Sequence, residues 1–317
     1  MRHRIYTTMP TYQYTFTVFT PTYNREHTLA RVFSSLQAQS YRDFEWLIVD
    51  DGSTDGTRVL VEQWQRTAQF PIRYIYQENR GKHVASNRGA REAKGRFLLS
   101  LDSDDACVPN ALERFQYHWE NIPEDHRHQF SAVTVLCMDE FGSIHGNRFP
   151  LEVTDSDSIE IRYKFRVKGE KWGFQLTDIL RQYPFPEIEG ERFVTEDIVW
   201  RSIARRYKTR YVNEALRIYF DSDADQAGRL TKVAAGNQAK GRTMYCASVL
   251  NNDLAWFTTV PTEFLRIGGN YTRYAYHAGK GITQQVHGLT SLPARILWLL
   301  MFPVGFCLHL RDRAQQK

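Results

Sequence analysis

The chain has 317 residues, of which 42% are hydrophobic and 24% charged, so it can bury the core of one large domain or of a domain with an appendage. Its net charge of +5 is a modest excess that suits an anionic ligand or a membrane surface, and the sequence has neither zinc-finger spacing nor an RNA-binding aromatic motif that would indicate nucleic acid. The four cysteines show no CxxC pairing, which argues against a disulfide framework or a zinc site and favours reduced thiols in a cytosolic setting.

The first half of the chain alternates between strand and helix patterns. Strands are predicted at 15–21, 44–51, 71–78 and 96–102, and helices at 25–39, 54–67, 83–95 and 109–121, with Gly95 stopping the third helix. This alternation predicts parallel strands joined by right-handed crossovers, with helices on both faces. Ligands of such sheets bind beyond the carboxyl ends of the strands. The polar segments PTYNR, DDGSTDGT, QENRGKH and DSDD follow the four strands in turn.

The second half is less regular. A strand is predicted at 130–140 and a strand or strand pair at 208–220. A short helix is predicted within 173–184, before Pro184, a helix at 195–207, and a loop at the charged segment 151–170. Residues 221–231 are polar and read as a mobile segment, and a helical pattern follows over 232–252. We therefore predict a leader at 1–14, a main domain at 15–225 whose halves meet near residue 120, and a helical C-terminal region at 226–317.

The tail at 289–310 is apolar, but its uninterrupted run from Ile296 to Leu308 is shorter than the roughly 20 residues that span a bilayer. Pro303 is expected to break this run. Aromatic residues between flanking arginines suit an interfacial membrane anchor. The alternative is a segment that packs on the domain or against a second copy, and the sequence does not indicate an oligomeric state.

Each polar segment has an ordinary structural explanation. The aspartates of DSDD could cap the next helix, and DDGSTDGT could be a strand-to-helix turn with Gly52 at an unusual backbone angle. NRGKH could be a solvated loop, and the acids of TED, at 195–197, could match a helix dipole.

Each segment also has a chemical interpretation. Magnesium and manganese take one or two carboxylates together with water and ligand phosphates, which fits the DSDD segment. A carboxylate of the DDG segment could accept a hydrogen bond from a nucleobase, Lys82 or Arg88 could meet a diphosphate, and an acid of TED could act as a general base.

Taken together, the segments resemble the inverting, GT-A-fold glycosyltransferases of family 2, of the bacterial surface-polysaccharide type. The matching pieces are TVFTPTYNR, FEWLIVDDGSTDGT, NRGKHVASNRGAREAKG and FLLSLDSDD, in the family's order and spacing, and TED resembles its later acidic motif. The close match covers roughly residues 15 to 120 and resumes around 195 to 220. The resemblance implies an α/β fold: a Rossmann-like, mostly parallel central sheet with helices on both faces, a nucleotide half at about 15–120, an acceptor half at about 121–225 and a helical C-terminal extension.

The resemblance also implies roles for individual residues. Asp197 would be the catalytic base, and Asp104 would bind Mn²⁺ or Mg²⁺. The remaining residues would bind the nucleotide sugar, with Asp102 at the ribose and Asp50 as the alternative to Asp51: Thr20, Pro21, Tyr23, Asp50, Asp51, Lys82, Asp102 and Glu196. Trp172, Arg192 and Arg201 are candidates for shaping the acceptor site.

The implied activity is a single, inverting transfer of a sugar from a nucleotide sugar, by family habit UDP-linked, to a hydroxyl of a saccharide or lipid-linked acceptor in surface glycan biosynthesis. Processive synthases carry QxxRW and runs of membrane spans, which are missing here. We expect a cytoplasmic protein, peripheral on the inner face of the cell membrane. The donor sugar and the acceptor are not encoded in any pattern we recognise.

Two other functions stay open. One is a non-catalytic, nucleotide-sugar-binding partner of a membrane glycan-assembly complex. The other, less favoured, is a nucleotide-sugar pyrophosphorylase, whose basic, glycine-rich N-terminal loop is absent. A P-loop kinase or dinucleotide oxidoreductase is disfavoured because neither GxxxxGK[ST] nor GxGxxG occurs.

Overall fold

The structure, a computed structural model, describes residues 11–220 and 238–315. Nine strands in this part of the chain form one sheet. The strands are β1 Tyr14–Thr22, β2 Phe44–Asp50, β3 Ile72–Tyr76, β4 Gly95–Ser100, β5 Ala106–Cys107, β6 Phe130–Asp139, β7 Val153–Ser156, β8 Lys171–Leu176 and β9 Lys208–Tyr219. The helices are α1 Leu29–Gln37, α2 Thr57–Thr67, α3 Lys82–Glu92, α4 Ala111–Glu120, α5 Ser158–Tyr163, α6 Thr177–Gln182, α7 Asp197–Ala204, α8 Ala239–Asn252, α9 Pro261–His277, α10 Ile282–His287 and α11 Leu292–Gln315.

The first four strands form the parallel part of the sheet. β1 pairs in parallel with β2 and β4, and β2 pairs in parallel with β3, giving the spatial order β3-β2-β1-β4. All seven residues of β2 are buried, as expected for a strand covered on both faces. One core cluster packs α1, α2 and α4 on one face, and a second packs α3, α6 and α7 on the other. The predicted α/β architecture is therefore confirmed.

The second half of the sheet is mixed. β8 pairs antiparallel with both β4 and β6, β9 runs parallel to β6, and β5 and β7 pair antiparallel with β9. The prediction of a short helix within 173–184, before Pro184, is confirmed by α6, which follows β8 directly. The prediction of a loop at 151–170 was wrong: β7 pairs with β9, and Asp157 caps α5 by accepting the backbone N–H groups of Ile159 and Glu160.

Gly95 has a different role from the predicted helix cap. α3 ends at Glu92, and Gly95 is the first residue of β4. A Cβ atom there would lie 2.2 Å from the backbone nitrogen of Thr17, so glycine lets β4 approach β1. The predicted unusual backbone angle of Gly52 is confirmed, since its φ is 90°.

The C-terminal helices pack on the main domain. Their core cluster joins side chains of α8, α9 and α11 to Ile159 and Tyr163 of α5. The predicted leader at 1–14 lies outside the described residues up to residue 10, and β1 begins at Tyr14. The polar segment at 221–231 and the start of the predicted helix at 232–252 also lie outside the described residues.

Pro303 does not break the tail, contrary to expectation. α11 runs as one helix of 24 residues with Pro303 inside it, and within the described residues it is the one helix with the length and hydropathy of a bilayer span. Before the proline, Trp298, Met301 and Phe302 belong to the C-terminal cluster or pack against it, and after it Gly305 lies close to Gly269 of α9. Tertiary packing therefore holds the helix across a residue that cannot donate a backbone hydrogen bond.

Candidate active site

The loops that follow the parallel strands meet at the carboxyl edge of the sheet. The backbone N–H of Asn24 donates to Ser53 Oγ at 2.8 Å, and that of Thr54 donates to Asn24 Oδ1 at 2.8 Å. Thr28 Oγ1 donates to the carbonyl oxygen of Ser103 at 2.9 Å. These bonds tie PTYNR to DDGST on one side and to DSDD on the other, as the strand order requires.

The two aspartates of DDG support this loop framework. Asp50 is fully buried, and it accepts the backbone N–H of Ser53 at 2.7 Å and the hydroxyl of Tyr74. Burial and this bond to a carboxylate raise the pKa of Tyr74, which therefore stays a donor. Asp51 accepts the backbone N–H groups of Arg80, at 3.0 Å, and Gly81, at 2.7 Å, and so holds the start of α3.

The residues after β1 divide between core and surface. Thr20 is fully buried and accepts a hydrogen bond from Trp46 Nε1 at 2.9 Å, and Pro21 is also buried. Tyr23, directly after β1, is 47% exposed. Thr20 and Asp50 thus serve the framework, and their direct contact with a nucleotide stays a prediction, as does that of Pro21, Tyr23 and Asp51.

Lys82 and Asp102 form an ion pair at the carboxyl edge of the sheet. Lys82 Nζ lies 2.9 Å from Asp102 Oδ1 and 3.1 Å from Glu196 Oε1. Burial alone would lower the pKa of Lys82, but the two carboxylates outweigh it and raise it. Burial alone would raise the pKa of Asp102, but Lys82 and Arg217 hold it far below its usual range. The site therefore presents a firmly ionised Lys–Asp pair at the end of β4.

Arg217 is a site residue that the sequence analysis missed. It comes from β9, and its guanidinium contacts Asp102 Oδ2 at 2.8 Å and also Asp105, through Nε at 2.7 Å and through Nη2. Asp105 is 1% exposed and accepts the backbone N–H of Phe220 at 3.3 Å. Asp105 is thus a buried partner of Arg217. Its position after β4 would also have allowed it to cap the next helix.

Asp104 has weaker ion pairing than the other carboxylates of DSDD, and its contact with a metal stays a prediction. Its side chain is 26% exposed, and Arg25 Nη2 lies 3.7 Å away. Within 11–220 and 238–315, no three His, Cys, Asp or Glu side chains converge as a ligand set. Magnesium typically takes one or two protein carboxylates and completes its shell with water and phosphate oxygens, so Asp104 alone would be enough to hold such an ion.

Asp197, the predicted base, is the first residue of α7. Its Oδ2 atom accepts a hydrogen bond from Arg162 Nη1 at 3.0 Å, lies 3.8 Å from Arg201 Nε and lies 3.4 Å from the hydroxyl of Tyr245. Arg162 also donates to Glu263 of α9 at 3.0 Å. The side chain of Asp197 is 35% exposed, so it is oriented by arginines yet open to a substrate.

A cleft of about 720 Å³ joins some of these groups, and Asp104 is not among the residues that line it. Lys82, Asp102, Glu196, Asp197 and Arg217 all line it. Of the acceptor candidates, Trp172 and Arg201 line the cleft, although both are almost fully buried: Trp172 Nε1 donates to the carbonyl oxygen of Ser100 and Arg201 Nη1 to Asp253. Arg192 is exposed on the loop before α7 and does not line this cleft.

Comparison with known proteins agrees with this geometry. Residues 17–165 match the family model described as Glycosyl transferase family 2. This stretch is a family 2 glycosyltransferase domain. It includes PTYNR, DDGST, NRGKH and DSDD and ends before TED.

Two curated relatives are bacterial glucosyltransferases. The chain is 27% identical over 207 residues to the GalNAc(5)-diNAcBac-PP-undecaprenol beta-1,3-glucosyltransferase of Campylobacter jejuni, covering 64% of this chain and 63% of that protein. It is 37% identical over 101 residues to the UDP-Glc:alpha-D-GlcNAc-diphosphoundecaprenol beta-1,3-glucosyltransferase WfgD of Escherichia coli, covering 32% and 39%. The chain spans less than two thirds of the length of either relative.

Solved structures give the fold of the glycosyltransferase domain and its extension. S. aureus TarS 1–349 in complex with UDP superposes with a TM-score of 0.61 at 16% identity, covering 95% of this chain and 92% of that chain. The same protein in complex with UDP-GlcNAc gives a TM-score of 0.59 at 18% identity, covering 90% and 79%. The fold is therefore GT-A, as the sequence resemblance implies.

Proposed function

We propose that the protein transfers a single sugar, with inversion, from a UDP-linked donor to a hydroxyl of a saccharide or lipid-linked acceptor in the synthesis of a bacterial surface glycan. One observation carries this proposal: donor-side groups, Lys82 and Asp102, and the acidic pair Glu196 and Asp197 line the same cleft at the carboxyl edge of the sheet. A nucleotide-binding module alone needs the first set but has no use for a base facing it.

The donor side of the cleft suits a leaving diphosphate. Lys82 is positively charged and lies beside Asp102, the residue proposed to hold the ribose. A divalent ion held by Asp104 would act as a Lewis acid toward the diphosphate. When a donor binds, Lys82 can exchange its contacts with Asp102 and Glu196 for phosphate oxygens, so that a cation faces the charge that develops as the sugar departs.

The acceptor side suits removal of a proton. Asp197 would accept the proton of the attacking hydroxyl while that oxygen bonds to the anomeric carbon on the face opposite the leaving diphosphate. The hydrogen bond from Arg162 to the Oδ2 atom of Asp197 fixes the orientation of this carboxylate. Attack from the opposite face inverts the anomeric configuration, which is consistent with membership of family 2.

The named relatives support the choice of donor and acceptor. The name of the E. coli relative specifies a UDP-glucose donor, and the names of both relatives specify undecaprenol-linked acceptors. TarS has been solved with UDP and with UDP-GlcNAc. A lipid-linked acceptor would place this protein in the cytoplasm, on the inner face of the membrane.

The direct test is a donor panel. Purified full-length protein is incubated with UDP- and GDP-sugars, with Mn²⁺ or Mg²⁺ or with a chelator, and release of the nucleoside diphosphate is measured. We expect metal-dependent release from a UDP-sugar. Donor binding without any release, with or without saccharide acceptors, would favour the non-catalytic partner, and formation of a nucleotide sugar from a sugar phosphate and UTP would favour the pyrophosphorylase.

Replacing the proposed base gives a sharper prediction. Asp197→Asn is expected to lower kcat by about 10²- to 10⁴-fold, because the variant cannot take the acceptor proton. KM for the donor should stay within about a factor of two, since the donor contacts lie on the other side of the cleft. Steady-state kinetics with the donor chosen by the panel measures both.

A matched control exists in α6. Asp178 is also an aspartate in the first turn of a helix, it pairs with Arg181 at 3.1 Å, and it does not line the cleft. Asp178→Asn should keep wild-type kcat. Equal kcat values for Asp197→Asn and the wild type would remove Asp197 from the mechanism and direct attention to Glu196.

A further inference from the structure

α11 has two apolar faces, and the described part of the chain covers only one of them. Its inner face carries Ala294, Leu297, Trp298 and Gly305, which are buried. Six large apolar side chains, between 38% and 69% exposed, lie on the opposite side of the helix: Leu292, Ile296, Leu299, Leu300, Phe306 and Leu310. We call these six residues the α11 stripe. It extends along about 27 Å of the helix.

We propose that the α11 stripe is a membrane-contact surface that rests on an anionic lipid bilayer with α11 parallel to the membrane plane. Charge complementarity indicates the partner. Arg295 near the start of the helix, and Arg311 and Arg313 after the last stripe residue, are exposed. Apolar side chains bordered by arginines are typical of helices that lie at the lipid interface, where the cations meet anionic head groups.

The inner face of α11 excludes a simple bilayer span. Gly268 of α9 faces Met301, Gly269 faces Gly305, and Arg273 pairs with Asp312 at 2.6 Å, so the two helices run side by side in the same direction. If α11 crossed the bilayer, α9 would be drawn in along most of its length. Charged side chains at membrane depth are costly, so the pair is better placed with only its outer face in lipid.

The ion pairs at the end of α11 strengthen this argument. Asp312 is buried and accepts from Arg273 and lies 3.1 Å from His277 Nε2. These contacts hold the C-terminal end of α11 against α9 on the protein side. The helix is therefore fixed to the domain along its inner face, and only the outer face is free to meet a partner.

The same helix pair connects the membrane surface to the cleft. Glu263 and Arg266, in the first two turns of α9, line the cleft, and Gly268 and Gly269 in the next turn contact α11. If the proposed function is correct, the acceptor is therefore an amphiphile whose saccharide head group reaches Asp197 from the lipid surface. This last step rests on the proposed function, whereas the membrane contact does not.

Vesicle flotation tests the surface. Full-length protein is mixed with vesicles of phosphatidylglycerol and phosphatidylethanolamine or of phosphatidylcholine alone, and the floating fraction is measured. We expect flotation with the anionic vesicles, less with phosphatidylcholine, and at least a tenfold weaker partition for Leu299→Glu/Leu300→Glu. The matched control Phe141→Glu/Leu151→Glu changes two other residues, 84% and 66% exposed, by the same charge and should float like the wild type.

Cysteine labelling tests the orientation. In a Cys307→Ser background, Ser291→Cys and Gln315→Cys, made separately, place one exposed thiol at either end of α11. An impermeant thiol reagent added outside vesicles carrying bound protein should label both, because both ends stay on one side. Protection of one end and not the other would show a span and overturn the in-plane proposal.

Donor hydrolysis separates this proposal from the proposed function. Leu299→Glu/Leu300→Glu should hydrolyse or transfer from a nucleotide sugar in solution at the wild-type rate, since neither residue lines the cleft. Flotation without any donor chemistry would leave the surface standing and remove the proposed function. The membrane-surface proposal would be overturned if the stripe and control variants floated equally. It would also be overturned if the wild type were a dimer that did not bind lipid and that the stripe variant converted to a monomer.

Discussion

Arg217, a residue of β9, contacts two carboxylates of the DSDD segment. It is 7% exposed, and it contacts both Asp102 and Asp105 although it lies 112 residues after Asp105 in the chain. Burial alone would lower the pKa of Arg217, but the two carboxylates raise it, so the guanidinium stays charged. The donor-side geometry of Asp102 thus depends on a residue from the acceptor half.

Removing Arg217 should therefore destabilise the protein as well as the site. Arg217→Met leaves Asp105 buried without its counter-charge, and breaking a buried ion pair on one side costs about 3–5 kcal/mol. We expect this loss in the free energy of unfolding, measured by urea denaturation. Arg58→Met is the control, because Arg58 is exposed and pairs only with Glu62 one turn away on α2. A variant Arg217→Met as stable as Arg58→Met would contradict the ion-pair interpretation.

The site residues divide into those that a sequence can indicate and those that it cannot. Lys82, Asp102 and Asp197 sit in short motifs, so their placement near one edge follows from the strand order. Arg217 and Arg162 lie in segments with no motif, and their importance comes from contacts with residues 115 and 35 positions away. A buried arginine on a strand is the signal that could have identified Arg217. The sequence alone does not show that this arginine is buried, because that depends on the register with which β9 pairs in the sheet.

The contact between α9 and α11 depends on glycine at position 305. A Cβ atom at Gly305 would lie 2.2 Å from the carbonyl oxygen of Gly269 and 2.7 Å from Thr272 Cβ. The first of these atoms is backbone, so it cannot move aside without shifting a helix. This close approach brings α11 near enough for Tyr276 to stack on His309, with ring centroids 5.3 Å apart.

Gly305→Ala should separate the helix pair. Overpacking of this kind costs about 1–3 kcal/mol, which exceeds the small gain in helix propensity that alanine brings. Thermal unfolding followed by circular dichroism measures the change. Gly281→Ala is the matched control, because a Cβ atom at Gly281 meets nothing within 4 Å and its φ is −70°. Similar melting temperatures for the two variants would contradict the packing argument.

Element boundaries show where local patterns are sufficient. Apart from the two-residue β5, the strands and helices up to residue 121 were predicted in type and order because each carries its own apolar period. The segment 151–170 was misread because β7 is a four-residue strand whose identity comes from pairing with β9, and α5 is held by one cap and by burial of Ile159 and Tyr163. The continuity of α11 through Pro303 has the same cause, since tertiary packing outweighs a local rule.

At the scale of the molecule, buried ion pairs join the C-terminal helices to α7. Asp253, which follows α8 and is 2% exposed, accepts from Arg201 Nη1 at 2.9 Å and from Arg205 Nε at 2.9 Å, both at the end of the helix that begins with Asp197. The ion pair between Arg162 and Glu263 adds a second link, next to Asp197. The predicted boundary near residue 225 lies outside the described residues and stays a prediction. The helices after it share a core and buried charges with α5 and α7.

These links predict that the two regions unfold together and that one substitution separates them. In Asp253→Asn, Arg201 stays buried without its full counter-charge, at a cost of about 3 kcal/mol or more. Hydrogen exchange in increasing urea should show wild-type peptides from β1–β4 and from α8–α11 losing protection at the same midpoint. In Asp253→Asn the α8–α11 peptides should lose protection first, whereas Asp125→Asn, at a side chain 79% exposed, should leave both midpoints unchanged. Separate midpoints in the wild type would mean that the C-terminal helices are an independent unit, and the orientation of Asp197 would then have to come from α5 and α7 alone.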